Sequence, residues 1–193
     1  MSRRLVIFVQ DHSYHCYNRG VKKERIFLSY ENYLFMIRRM KKYSIKFHIS
    51  VVAYCLMPNH YHFLLRQDGL FSLSTFMQAV FNSYTKAFNK AYNRTGTLFE
   101  GPFKAVHVDR DSYLLHLCRY IHRNPLDAGL VKQLDDWPYS NYLEWVGLRD
   151  GTLFDQEFIN EQFNSPQEYM HFVREYKPTK EIEKTLRLYM LDG

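Results

Sequence analysis

The sequence predicts an α+β fold, a two-layer sandwich on a mostly antiparallel sheet, followed by a helical C-terminal extension. Three observations carry this reading. Strand-like and helix-like segments interleave over the first 132 residues in the order β-α-β-β-α-β-α; two of the strands are joined by the two-residue turn Pro58-Asn59; and beyond Val131 the pattern gives way to acidic and aromatic stretches. A chain of 193 residues can bury one proper core without disulfide staples. The expected division is a domain over residues 1–145 and an acidic, helical extension over 146–193.

The first strand is expected in residues 14–20, where Tyr-His-Cys-Tyr-Asn-Arg favours extended backbone and Gly20 ends it. From Ser29 to Ser44 the apolar positions Tyr33, Leu34, Ile37 and Met40 recur at helical spacing, with Arg38, Arg39, Lys41 and Lys42 on the outer surface. Residues 47–57 are β-branched and aromatic, and the run from His60 to Leu65 resumes after the turn as an antiparallel partner. Ser72 or Ser74 is placed to cap a helix whose stripe is Leu73, Phe76, Met77, Val80, Phe81, Tyr84 and Phe88, closing near Gly96. Residues 103–108 read as a strand. A helix capped by Asp109 or Asp111 is then expected to run to about Arg123, because Pro125 disfavours helical geometry at Asn124. In the extension, residues 166–176 and 180–190 have helical character.

Composition narrows the function classes. The chain is 46% hydrophobic and has no apolar run near the length of a membrane span, which excludes fibrous and integral-membrane roles. The short apolar stretch Leu5–Val9 falls short of a signal-peptide core, so a cytoplasmic, nucleoid-associated protein is expected. Cys16, Cys55 and Cys118 are too scattered for a zinc or redox motif and read as buried or free thiols. Net charge is +6, but residues 1–132 carry +12 and residues 133–193 carry −6. A basic body with 33 aromatic residues fits a nucleic-acid partner.

Two constellations carry chemistry. Period-two alternation puts His60 and His62 on one face of their strand, with Tyr61, Phe63 and Leu65 on the other, so both imidazoles can reach one metal ion. A pair of packed histidines is the plainer alternative. On the helix after Asp111, Leu114, Leu117, Cys118 and Ile121 form the core stripe, while Tyr113, His116, Tyr120 and Asn124 line its flank. Tyr120 and Asn124, one turn apart, can offer a nucleophile and a third ligand, or an amphipathic boundary residue and its neighbour.

Five phrases in order then carry a resemblance: Tyr14-His15-Cys16-Tyr17-Asn18-Arg19-Gly20, Ala53 to His62, Leu98-Phe99-Glu100-Gly101, Tyr120-Ile121-His122-Arg123-Asn124-Pro125 with Ala128-Gly129-Leu130-Val131, and Asp136-Trp137-Pro138-Tyr139-Ser140. The chain resembles the IS200/IS605-like single-tyrosine transposases, in particular the REP-associated tyrosine transposase branch, from residue 14 to about 142. The resemblance implies a ferredoxin-like HUH nuclease fold. It makes His60 and His62 the paired metal ligands, Asn124 an additional ligand and Tyr120 the nucleophile. It also implies Mg²⁺ or Mn²⁺ as cofactor, and cleavage of single-stranded DNA beside a hairpin through a 5′-phosphotyrosine. A phenol with a pKa near 10 needs charge neutralisation at phosphorus to attack a phosphodiester, which a divalent ion supplies. The partner it implies is hairpin-bearing single-stranded DNA, met by a monomer or homodimer with no membrane involved. Arg19, Lys22, Lys23, Arg38, Lys42, Lys86, Lys90 and Lys104 are the candidate phosphate contacts. One departure stands out, Pro102, where the family phrase usually carries a basic residue. Two alternatives stay open: a protein that binds structured DNA or RNA without cutting it, and a metal phosphohydrolase that uses water.

Overall fold

The computed structural model describes residues 6–108, 111–176 and 179–187. Four strands, β1 (Ser13–Arg19), β2 (Ile49–Met57), β3 (His60–Gln67) and β4 (Lys104–Val108), form one sheet in the order β2-β3-β1-β4, every neighbouring pair antiparallel. Helix α1 (Tyr30–Phe47) connects β1 to β2, and α2 (Leu73–Ala91) connects β3 to β4. Each connection skips one intervening strand, so two split β-α-β units interlock in the ferredoxin-like manner.

Alternation decides what each face buries. Tyr14 and Cys16 of β1, Tyr54 and Leu56 of β2, and Tyr61, Phe63 and Leu65 of β3 point to one face, where they form a core with Met36 and Met40 of α1 and Phe76, Val80 and Tyr84 of α2. Ser29 begins α1 through a reciprocal capping box with Asn32, and the Ser72 side chain accepts from the Ser74 amide at the start of α2. The latter helix stops at Ala91, short of Gly96, because Asn89 Nδ2 donates to the Gly96 carbonyl and turns the chain back.

The other face is covered by α3 (Asp111–Asp127), whose Leu114, Leu117, Cys118 and Ile121 are buried against Ala53, Cys55, Met57 and Leu64. This helix corrects the boundary drawn at Arg123. It continues through Asn124 and Pro125, and the Asn124 side chain donates to the Tyr120 carbonyl at 2.9 Å in the last turns. Of the two expected caps, Asp111 is already helical and Asp109 lies outside the described residues.

Four further helices follow: α4 (Tyr142–Trp145), α5 (Gln156–Gln162), α6 (Pro166–Arg174) and α7 (Lys180–Arg187). The first two are short and carry no legible periodicity; the last two occupy the expected stretches. Their residues Trp145, Ile159, Tyr169, Val173 and Leu186 join the cluster on the α3 side of the sheet. Among the described residues, no helix is long and apolar enough to cross a membrane, and the three cysteines are buried and free.

A β-bulge at Val52 joins this region to the sheet. Two residues there oppose one on β3, so the Val52 carbonyl turns out of the ladder and accepts from Asn141 Nδ2 at 3.0 Å and Trp145 Nε1 at 3.1 Å. Asn141 Oδ1 accepts from the Tyr54 amide and lies 2.9 Å from His122 Nε2. With its amide nitrogen already donating, Asn141 requires His122 Nε2 to be the donor, and His122 Nδ1 therefore accepts from Tyr169 Oη at 2.7 Å. Arg119 and Arg123 donate to the carbonyls of Phe172 and Val173 at the end of α6. Helix α3 is thereby tied to the bulged strand on one side and to α6 on the other. Tyr169→Phe is expected to leave His122 Nδ1 buried without its donor and to cost roughly 1–3 kcal/mol, read as a lower urea midpoint at unchanged slope.

Candidate active site

The α3 face of the sheet carries a cluster of rings. His15 and Tyr17 come from β1, and His60 and His62 from β3, where the register pairs Tyr17 with His62 and Arg19 with His60. The His60 and His62 rings are 5.1 Å apart, centre to centre, and nearly perpendicular. Tyr120 reaches down from α3, its ring edge-on to His62 at 5.4 Å and to His15 at 6.5 Å. The alternation of β3 and the half-buried flank of α3 meet here, as the spacing in each predicts.

Hydrogen bonds set the tautomers. His60 Nδ1 donates to Asn59 Oδ1 at 2.7 Å, which leaves Nε2 as the nitrogen with a lone pair. His62 is fully buried; its Nδ1 lies 3.0 Å from His15 Nε2, and its Nε2 has no hydrogen-bond partner among the described residues. A buried imidazole nitrogen without a partner is costly unless something coordinates it. If the His62 Nδ1 hydrogen is given to His15, the Nε2 lone pair is exposed to a ligand, the arrangement in which metal-binding histidines are held. His15 stands in the first of the five phrases with no role of its own there; its part follows from its place on the Tyr17 face, legible only with the β1–β3 register.

The electrostatics keep His15, His62 and His122 neutral. Burial lowers His15 to a pKa of about 3, and for His62 burial first, then the neighbouring His15 and His60, push it well below the usual 6.5. Burial also takes His122 down to about 4 against a smaller opposing contribution from Asn141. Neutral imidazoles are the ligating form, and two of them leave a divalent ion its charge. Among the described residues no three His, Cys, Asp or Glu side chains gather as a metal site. Asn124, half-buried, spends Nδ2 on the Tyr120 carbonyl and offers Oδ1; its side chain bonds to its own helix and to neither histidine.

The basic residues divide by face. Arg19 and Lys104 share the face of Tyr17 and His60: Arg19 pairs with Glu100 at 2.6 Å, and Lys104 Nζ lies 5.8 Å over the Tyr17 ring. Lys22 and Lys23 are exposed in a turn with left-handed φ of 55° and 61°. Lys23, with Arg25, Asn59, His60 and Leu130, lines an open cleft of about 470 Å³ beside the histidines. Arg38, Lys42, Lys86 and Lys90 are exposed on α1 and α2, across the sheet from Tyr120. The structure therefore brings Arg19, Lys23 and Lys104 toward the site and leaves those four on the opposite helical layer.

The model of the family described as "Transposase IS200 like" matches residues 8–124, more than half of the chain. The chain belongs to the IS200-like transposase family. A curated Haemophilus influenzae protein that carries the name REP-associated tyrosine transposase is 27% identical over 104 residues, 48% of this chain. The match spans 58% of that relative's length. A solved structure of a REP-associated tyrosine transposase bound to a REP hairpin superposes with a TM-score of 0.63 at 17% identity, covering 81% of this chain and 98% of that one. The fold is shared with that protein.

The buried neutral histidines predict how stability depends on pH. Their folded pKa values lie below those of the unfolded chain, so on acidification the unfolded state takes up protons first. The stabilisation is complete above about pH 6.5 and is lost as pH falls toward about 4, by at most about 1.4 kcal/mol per pH unit for each histidine. The thermal midpoint is expected to drop steadily between about pH 7 and 4.5; a flat profile across that window contradicts neutral burial.

Proposed function

We propose that this IS200-like transposase cuts and rejoins single-stranded DNA beside a hairpin, with Tyr120 as nucleophile. The observation that carries the reading is the Tyr120 ring held edge-on to His62, whose ring in turn lies 5.1 Å from that of His60, on a helix fixed from both sides. The fold shared with a hairpin-bound protein supports the choice of DNA substrate.

In the proposed reaction Tyr120 Oη attacks the phosphorus of the scissile phosphodiester. The phenolic proton passes to water in the cleft, the bond from phosphorus to the 3′ oxygen breaks, and that oxygen leaves as a hydroxyl after taking a proton. The product is a 5′-phosphotyrosine, which a 3′-hydroxyl reverses in the rejoining step. His60 and His62, through Nε2, and Asn124, through Oδ1, are the residues that would hold Mg²⁺ or Mn²⁺. When bound, the ion supplies Lewis-acid polarisation of the scissile phosphate. His15 orients the His62 ring, while Lys23 and Arg25 hold the strand's phosphates in the cleft and Arg19 and Lys104 add positive charge on the sheet face of Tyr17 and His60.

Incubation with a labelled hairpin-flanked oligonucleotide and Mn²⁺ is expected to give a denaturation-resistant protein–DNA adduct that Tyr120→Phe abolishes. Equal adduct in the variant overturns the nucleophile. Tight, salt-sensitive binding with no adduct from the wild type favours a protein that recognises structured DNA without cutting it, a reading for which the Pro102 departure is the observation. Water-based hydrolysis instead predicts cleavage that survives Tyr120→Phe.

The orienting role of His15 has its own test. His15→Ala is expected to weaken Mn²⁺ binding roughly 10–100-fold by titration calorimetry while the protein stays folded at neutral pH. Unchanged affinity removes His15 from the site.

A further inference from the structure

Of the rings gathered on the α3 face of the sheet, Tyr17 is the one that the proposed reaction leaves unused. Register sets its place. On β1 it pairs with His62 of β3 on one side and with Lys104 of β4 on the other, so the three side chains form a row across one face.

The ring is held, and the hydroxyl is unspent. The Tyr17 ring lies nearly parallel to His15 at 4.9 Å and to His62 at 6.0 Å, centre to centre. Only 5% of the residue is exposed. Its hydroxyl nonetheless makes no hydrogen bond to the described residues, and it is not among the buried polar atoms that lack a partner. The little surface that Tyr17 keeps therefore includes its hydroxyl. A tyrosine at this depth ordinarily spends its hydroxyl on a protein acceptor, as Tyr14 and Tyr84 do on the carbonyls of Ile7 and Ile26. Tyr17 leaves its donor to water or to a bound molecule.

The neighbours select the chemistry of that molecule. Lys104 Nζ lies 5.8 Å over the Tyr17 ring and has no ion pair among the described residues. No carboxylate stands in the row, and Glu100, beside Arg19, is engaged with that arginine. A hydroxyl donor, an ammonium and a neutral imidazole together suit an anionic oxygen.

Tyr120 meets the same imidazoles from another direction. Its ring stands nearly perpendicular to His15 and His62 and is carried on α3, whereas Tyr17 lies along them on β1. A phosphate at His62 within reach of Tyr120 has Tyr17 as its neighbour on the β1 side.

We propose that Tyr17 is a further catalytic residue, whose neutral hydroxyl donates a hydrogen bond to a non-bridging oxygen of the scissile phosphate. The bond is strongest in the transition state, when the attacking oxygen brings its charge to phosphorus. The hydroxyl keeps its proton throughout, and the bonds made and broken remain those of the attack by Tyr120. Because His15 and His62 already fix the ring, the donor is oriented before the substrate arrives. The assignment rests on the reading of Tyr120 as nucleophile and adds to it a fixed donor on the sheet.

Tyr17→Phe removes the hydroxyl and keeps the ring that packs on the histidines; circular dichroism checks the fold. Single-turnover formation of the adduct on a hairpin-flanked oligonucleotide in Mn²⁺ is expected to slow roughly 10–100-fold, the range of a hydrogen bond to a charged group. Affinity for the same DNA in EDTA, read by fluorescence anisotropy, and affinity for Mn²⁺, read by titration calorimetry, are expected to be unchanged, because the bond forms fully only in the transition state. Sulfur in place of either non-bridging oxygen at the cut separates contact from shape. For the diastereomer whose sulfur replaces the contacted oxygen, the rate gap between wild type and variant is expected to shrink, since sulfur is the poorer acceptor; for the other diastereomer the gap is expected to persist. An unchanged rate in Tyr17→Phe, or an equal gap for both diastereomers, overturns the contact while the wild-type adduct leaves the broader reading standing. Weakened Mn²⁺ binding makes Tyr17 a support for His62 and overturns the contact as well. Adduct that persists in Tyr120→Phe and is lost in Tyr17→Phe makes Tyr17 the nucleophile and overturns both readings, as does a wild type that forms no adduct on any hairpin-bearing strand.

Discussion

The amide of Asn141 is the junction on which the arrangement depends. It bonds the carbonyl of the bulged residue Val52, the amide of Tyr54 and the ring of His122, each fully or almost fully buried. Without the bulge, Val52 would keep its carbonyl in the ladder and α3 would rest on the sheet through apolar contacts alone. Apolar contacts tolerate sliding, whereas a buried three-way hydrogen-bond junction has one geometry. The position of Tyr120 relative to His62 inherits that geometry, since both are carried on elements the junction joins.

A second constraint comes from burying both faces of the sheet. A strand in the middle of such a sheet has nowhere to put a polar side chain except against another element, and β1 and β3 each place imidazoles there. Those rings survive burial by staying neutral and by bonding to one another. The arrangement costs stability on the acidic side and yields ring nitrogens with fixed tautomers. It is an instance of local destabilisation concentrated at the candidate site.

Much of this was readable from the chain because the two periodicities are clean. The alternation around His60 and His62 and the 3.6-residue stripes of α1, α2 and α3 gave the layers and the side each residue takes. Four things escaped, each for a physical reason. The role of His15 required knowing that Tyr17 pairs with His62, and register across non-consecutive strands is a tertiary fact. Helix α3 runs through Pro125 although the local rule ends it earlier, because a proline in a last turn forfeits little and the helix is held by α6 and the Val52 bulge. The lysines and arginines of α1 and α2 read as basic, but only the fold shows that they face away from Tyr120. Helices α4 and α5 are shorter than the window in which a period can be recognised.

The ties from α3 to α6 alter what the charge of the chain means. Arg119 and Arg123 count toward the basic body, yet each places its guanidinium on a carbonyl of α6, with Phe172 and Tyr176 around Arg119 and Tyr176 beside Arg123. Arg19 is matched by Glu100, Arg66 by Asp68 and Asp155, and Arg149 by Glu144. In these pairs and helix-end contacts the arginines act as rivets, while the exposed cations include Arg25 and Arg38 but are mostly lysines, Lys22, Lys23, Lys42, Lys86 and Lys90 among them. The surface offered to a polyanion is therefore chiefly ammonium, a set of mobile point charges that follows a backbone without fixing its register. Selectivity among polyanions has then to come from shaped places such as the ring cluster.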